Sequence, residues 1–146
     1  VAHPKPTAEV FTRGGWGTVE FVVRANGKSP SRDFLDHLES VREKSARERP
    51  DANGKARFVF LFQQMANSGH LSAKRFSPEM GKLFAFRHEV RKIQFRFPCF
   101  LVGNRWLLTH GFQKPGAQKK RGDWPQSEID RANEIMHEYL KGNPTR

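Results

Sequence analysis

The chain has 146 residues, enough for one domain with a single modest core, and its 26 Lys+Arg against 15 Asp+Glu leave a formal net charge of +11. No apolar run approaches the roughly 18 residues of a membrane-crossing helix, and a lone Cys99 excludes an internal disulfide framework and a cysteine-based zinc site. A cationic surplus of this size draws polyanions, with nucleic acid ahead of anionic membrane or an acidic protein.

Residues 1–15 hold Pro4, Pro6, Gly14 and Gly15 with little periodicity. They read as a poorly ordered lead-in to a single domain over 16–146. They also lack the continuous apolar region and small-residue cleavage site of a secretory signal, so a cytoplasmic location is expected. Val19, Phe21 and Val23 alternate with Thr18 and Glu20 as the period-two pattern of a first strand over Trp16–Arg24, with Val22 out of step. Asn26-Gly27 turns the chain, and Ser29-Pro30 supplies a cap and a first-turn proline. The helix that follows carries Phe34, Leu35, Leu38 and Val41 on one side, and its end is expected near Arg49-Pro50.

Phe58, Leu61, Phe62 and Met65 form the next helical stripe, with Asp51 or Asn53 as its cap and Gly69 as its left-handed stop. The two helices make a hairpin. Residues 70–81 read as a loop. Three strands follow, Leu83–Arg87, Lys92–Val102 and Arg105–Gln113, the last two joined by a tight turn at Gly103-Asn104. Pro98 interrupts the middle strand and demands a bulge or an outward-facing position. Residues 116–123 form a basic loop. Pro125 opens a final helix with Ile129, Ala132, Met136, Tyr139 and Leu140 on its apolar side, stopped by Gly142-Asn143-Pro144. The order β-α-α-β-β-β-α describes an α+β domain: a small, mostly antiparallel sheet with an N-terminal helix hairpin and a C-terminal helix.

The chemistry concentrates in 83–114, where Arg87, Arg91, Lys92, Arg96, His110 and Lys114 are planted among aromatic residues. Cleaving RNA beside its own 2′-hydroxyl requires a base for that hydroxyl, donors for the charge-dense phosphorane and an acid for the departing 5′-oxygen. Arginine presents a planar fork of donors suited to phosphate oxygens, and Arg87 and Arg96 are the candidates for that role. His110 and Lys114 are the nearest acid and base candidates. Glu89 is the sole carboxylate between Lys82 and Lys120, so a two-metal site is not expected, and neither metal nor cofactor is called for.

Each residue has a duller reading. Arg87 can pair with Glu89. Arg96, if Ile93, Phe95 and Phe97 face the core, lies on the open side of the sheet. His110 has the parity of Trp106 and Leu108, Thr109 that of Leu107, and alternation alone does not decide which set is buried. Lys114 can reach RNA or solvent. The pairs Lys74-Arg75 and Arg91-Lys92 and the run Lys119-Lys120-Arg121 suit contacts to the phosphate backbone rather than catalysis.

Four segments together resemble the RelE/HigB superfamily of toxins from bacterial toxin-antitoxin pairs, in its phage-derived Gp49-like branch. They are Lys82-Leu83-Phe84-Ala85-Phe86-Arg87, Arg96 within its aromatic strand, Leu107-Leu108-Thr109-His110-Gly111-Phe112-Gln113-Lys114, and Pro125-Gln126-Ser127-Glu128-Ile129-Asp130-Arg131-Ala132. The resemblance runs from about Lys74 onward, and residues 16–68 agree in element order. It implies a RelE-like fold and a cytoplasmic endoribonuclease that cuts message on the translating ribosome. A co-expressed antitoxin, commonly a helix-turn-helix protein, would hold it inactive. The alternative is a noncatalytic nucleic-acid binder or gyrase-inhibiting toxin of the same fold.

Overall fold

The computed structural model describes residues 4–42, 53–114 and 124–144. They build a seven-stranded sheet and three helices. The strands are β1 (Thr7–Arg13), β2 (Thr18–Val23), β3 (Phe76–Pro78), β4 (Phe84–Val90), β5 (Ile93–Val102), β6 (Arg105–Leu108) and β7 (Phe112–Gln113). The helices are α1 (Pro30–His37), α2 (Gly54–Ser68) and α3 (Gln126–Gly142). The sheet runs β1-β2-β6-β5-β4-β3, with β7 also on β5. Every pairing is antiparallel except β2 beside β6. The α+β reading with a mostly antiparallel sheet holds, and the strand order is richer than the one expected.

Three corrections follow from pairing. The lead-in, expected without regular structure, supplies β1, whose Thr7 to Arg13 pair with Val23 to Thr18 and shield the edge of β2. The supposed loop 70–81 contains β3, three residues ending in Pro78, too short to leave a periodic signature. The first helix stops at His37 and passes through a 3-10 turn at Leu38–Ser40 into extended Val41, so it does not continue toward the expected end. Arg49-Pro50 itself lies outside the described residues.

Caps explain the helices. The Asn53 side chain accepts the Ala56 N–H at 2.9 Å, and Gly69 takes the left-handed conformation (φ 73) that closes α2. The Ser29 hydroxyl does not cap α1. It donates to the Val22 carbonyl at 3.0 Å, while Ser31 donates to the Leu108 carbonyl, so two serines tie the start of α1 to β2 and β6.

The two sheet faces bury different helices. On one, Phe58, Phe62 and Met65 of α2 and Leu35 of α1 pack on Val19, Phe21, Phe86, Phe95, Phe97 and Leu108. Phe97 meets Phe58 at 4.7 Å and Phe62 at 5.4 Å between ring centroids, both edge to face. On the other, Ala132, Ile135, Met136 and Tyr139 of α3 cover Val22, Phe100 and Leu107. Coverage from both sides explains why Val22 breaks the alternation of its strand. Because successive strand residues face opposite ways, fixing Phe95 and Phe97 under α1 and α2 forces Arg96 to the α3 side.

Candidate active site

The expected third strand is two. Leu108 pairs with Cys99 while Phe112 pairs with Arg96, so the three residues Thr109 to Gly111 stand opposite the two residues Phe97 and Pro98. This bulge is where Pro98, lacking an N–H, faces the neighbouring strand; its carbonyl accepts the Thr109 N–H at 2.9 Å and the Thr109 hydroxyl at 3.2 Å. Gly111 completes the bulge, since a Cβ there would collide with the Phe34 ring of α1. The extra residue resets the alternation. Uninterrupted, Phe112 and Lys114 would share the helix-packed face of Leu108; instead Phe112 stands opposite Arg96, and the Lys114 N–H donates to the Gln94 carbonyl at 2.8 Å.

Arg87, Arg96 and Lys114 therefore converge on one face. Arg87 and Arg96 are direct cross-strand partners in the β4–β5 ladder, a placement that like charges resist. Arg96 is on the expected face, but that face is not open: the residue is 2% exposed. Its Nη1 donates to the Phe95 carbonyl at 2.9 Å and to Gln94 Oε1 at 3.2 Å. Burial, reinforced by the neighbouring Arg87 and opposed by Glu79, pulls its pKa down to about 10, so it remains charged at neutral pH. The Nε atoms of both arginines are buried and make no hydrogen bond among the described residues. Two forked guanidinium donors stand side by side, the kind of group that pairs with phosphate oxygens.

Glu79 is the residue that sequence reasoning missed. It lies just past β3, on the turn closed by its own N–H to the Leu83 carbonyl at 2.9 Å, with Gly81 at φ 57. Ser77 pairs with Ala85, on the side that also carries Arg87, and two residues later Glu79 points the same way. The Ser77 hydroxyl donates to Glu79 Oε1 at 2.9 Å and accepts from Arg87 Nη1 at 3.4 Å. Burial raises the pKa of the Glu79 carboxyl; the Ser77 hydrogen bond and the charges of Arg87, Arg96 and Lys114 pull the other way without cancelling it. The signal that would have revealed it was β3, without which Glu79 reads as one more loop acid.

Beside this centre, on the side of Arg87 and Glu79, lies a cleft of about 800 Å³ lined by Lys74, Arg75, Ser77, Glu79, Arg87 and His88 among others, with Arg96 and Lys114 behind its wall. Arg75 Nη1 lies 2.8 Å from His88 Nδ1. A guanidinium only donates, so Nδ1 accepts and the ring proton sits on Nε2. Arg91 and Lys92 form the two-residue tip of the β4–β5 hairpin, both left-handed at φ 53 and 67, a geometry usually given to Asn-Gly. Lys119, Lys120 and Arg121 lie outside the described residues.

His110 is placed differently. It is 0% exposed, enclosed between the bulge and α3, with Nδ1 3.0 Å from the Thr109 hydroxyl and Nε2 3.2 Å from Glu128 Oε1. Its ring stacks on Phe112 at 5.6 Å. Burial lowers its pKa, with the Glu128 hydrogen bond opposing and Arg131 assisting. The geometry thus brings Arg87, Arg96 and Lys114 together with Glu79 and sets His110 behind Phe112.

Among the described residues no group of three or more His, Cys, Asp and Glu is arranged to hold a metal ion, and no helix is long and apolar enough to cross a membrane. The model of the family described as phage-derived protein Gp49-like matches residues 47–137, well over half of the chain and including every residue of the cationic face. No curated protein matches the chain.

Proposed function

The chain belongs to the phage-derived Gp49-like protein family, and from that premise we propose that it is the toxin of a toxin-antitoxin pair, an endoribonuclease that cuts message on the ribosome. The observation that carries this reading is the direct cross-strand pairing of a half-buried Arg87 with a buried Arg96. Apposing two guanidinium groups costs stability, and a phosphodiester entering the cleft recovers that cost.

In this reading the 2′-hydroxyl attacks the adjacent phosphorus, and Arg87 and Arg96 donate to the nonbridging oxygens as charge accumulates on them. Fixed donors in a site shielded from water lower that barrier electrostatically, each by about 10²–10³-fold in rate. Lys114, 8% exposed and on the same face, supplies the proton for the leaving 5′-oxygen. His110 takes no proton from substrate. Enclosed by Thr109, Glu128 and Phe112, it fixes β7 and so the position of Lys114. Lys74, Arg75, Arg91 and Lys92 hold the flanking phosphates, and the same service is assigned to Lys119, Lys120 and Arg121. The partners are the ribosome with its message and a cognate antitoxin, commonly a helix-turn-helix protein.

The test is induction of the chain in bacteria, with message ends mapped by primer extension. Wild type is expected to arrest growth and produce discrete cuts, while Arg87→Ala leaves growth and message intact. Growth arrest without cut message would remove the ribonuclease reading, and DNA-damage signalling in its place would direct attention to gyrase.

A further inference from the structure

Building on the ribonuclease reading, we propose that Glu79 is the general base that deprotonates the attacking 2′-hydroxyl, with Ser77 as the residue that positions it. The cleavage step needs a proton acceptor, and the cationic face has one candidate of suitable chemistry among its described residues. Arginine does not deprotonate, and Lys114 is committed to the leaving group. Glu89, at the far end of β4, also lines the cleft but is exposed and engaged by Gln94 Nε2 at 2.8 Å. Glu79 is half-buried, is joined to Arg87 through Ser77 and lines the same cleft.

Its anchoring suits the task. The Ser77 hydroxyl occupies Oε1 and leaves Oε2 to accept from substrate. The backbone is held by the Glu79 N–H to the Leu83 carbonyl, and Ser77 accepts in turn from Arg87, which links base and phosphate donor. The groups facing the carboxylate are Arg87 on β4, Arg96 on β5 and Lys114 after β7, all cationic. Three cations would ordinarily turn a carboxylate into a poor base. Burial outweighs them and keeps Glu79 above its ordinary value, which improves its basicity as a proton acceptor.

Glu79 Oε2 takes the 2′-hydroxyl proton as the O2′–P bond forms. The P–O5′ bond breaks, and O5′ takes a proton from Lys114. The products are a 2′,3′-cyclic phosphate and a 5′-hydroxyl, and Glu79 and Lys114 re-equilibrate with solvent.

A purely electrostatic role, with Glu79 offsetting the two arginines, makes a different prediction, so the experiment must separate the two. Single-turnover cleavage of a defined message on stalled ribosomes is compared for wild type, Glu79→Gln and Glu79→Asp. Affinity for a short oligoribonucleotide is measured in parallel. With Glu79 as base, Glu79→Gln loses about 10²–10⁴-fold in rate, binds the oligonucleotide equally or more tightly, and loses the rise of rate with pH seen in wild type. Glu79→Asp keeps that rise at a reduced rate. Cleavage by Glu79→Gln within tenfold of wild type, or an unchanged pH rise, overturns the assignment while the ribonuclease reading stands. A parallel loss of oligonucleotide binding or of folding in both variants overturns it in favour of the counter-ion role. Absence of any cut by wild type overturns both.

Discussion

Two ionic clusters on the α3-facing side of one sheet are built in opposite senses. At the β2–β6 end, Arg105 meets Glu20 through two hydrogen bonds of 2.9 Å, Thr18 donates to Glu20 at 2.6 Å, and Arg105 also reaches the Tyr139 hydroxyl at 3.1 Å. Burial would raise Glu20, but the Arg105 and Thr18 hydrogen bonds hold it below the ordinary carboxylate range, and the same pairing raises Arg105. At the β4–β5 end, the carboxyl of Glu79 moves up and Arg96 moves down. One cluster is charge-matched and tied to a helix; the other carries surplus cation with unspent donors. A matched pair is explained by the fold it holds together, whereas a mismatched one is the kind of arrangement found at binding and catalytic sites.

The comparison breaks most visibly if the clusters exchange roles on mutation. Arg96→Met, which fills similar apolar volume, is expected to lower cleavage by at least 10²-fold while leaving the urea midpoint unchanged or higher, because an uncompensated buried charge is removed. Arg105→Met should do the reverse. It strands Glu20, 4% exposed in its side chain, and costs about 2 kcal/mol in urea denaturation. That is below the full cost of breaking a buried pair, since the Arg105 side chain is 36% exposed and partly screened. Cleavage per folded molecule should be preserved.

A smaller effect sharpens the point that the β4–β5 end gives up stability. Arg91 and Lys92 both sit at positive φ, so Arg91→Asn with Lys92→Gly should raise stability by about 1–2 kcal/mol while weakening RNA binding and flattening its salt dependence. If the double variant is no more stable than wild type, the strain is not there.

The mildest effect concerns His110. Its native pKa lies below the unfolded value of about 6.5, so the unfolded chain binds the extra proton first and stability falls as pH drops below that value. Urea midpoints at neutral and mildly acid pH should separate for wild type and converge for His110→Gln. A pH dependence that survives His110→Gln would assign it elsewhere.

α2 was legible because its signals are local: Asn53 and Gly69 bracket it, and the Phe58, Leu61, Phe62, Met65 stripe is the buried one, whereas α1 stops at His37, before the Val41 counted in its stripe. Arg87 and Arg96 were legible as chemistry, and the face of Arg96 followed from strand parity. What parity could not supply was the bulge at Thr109–Gly111, which moves Lys114 onto the arginine face, and β3, which brings Glu79 there. Both depend on pairing between segments distant in sequence. His110 drew attention because histidine is the usual acid–base residue at neutral pH, and only the packing of α3 through Glu128 reveals its enclosure. β1 was hidden because an edge strand with one covered side carries weak alternation.

Cleavage of RNA at the Arg87–Arg96–Lys114 face through the substrate's own 2′-hydroxyl leaves its mark in the chemistry of the new ends. Message cut on ribosomes by the wild-type chain is treated with polynucleotide kinase and γ-labelled ATP, without prior phosphatase. The expected products are 5′-hydroxyl ends that label immediately and that vanish with Arg96→Met. Ends that carry a 5′-phosphate and label only after phosphatase treatment would contradict attack by the 2′-hydroxyl, because they require an external water as nucleophile.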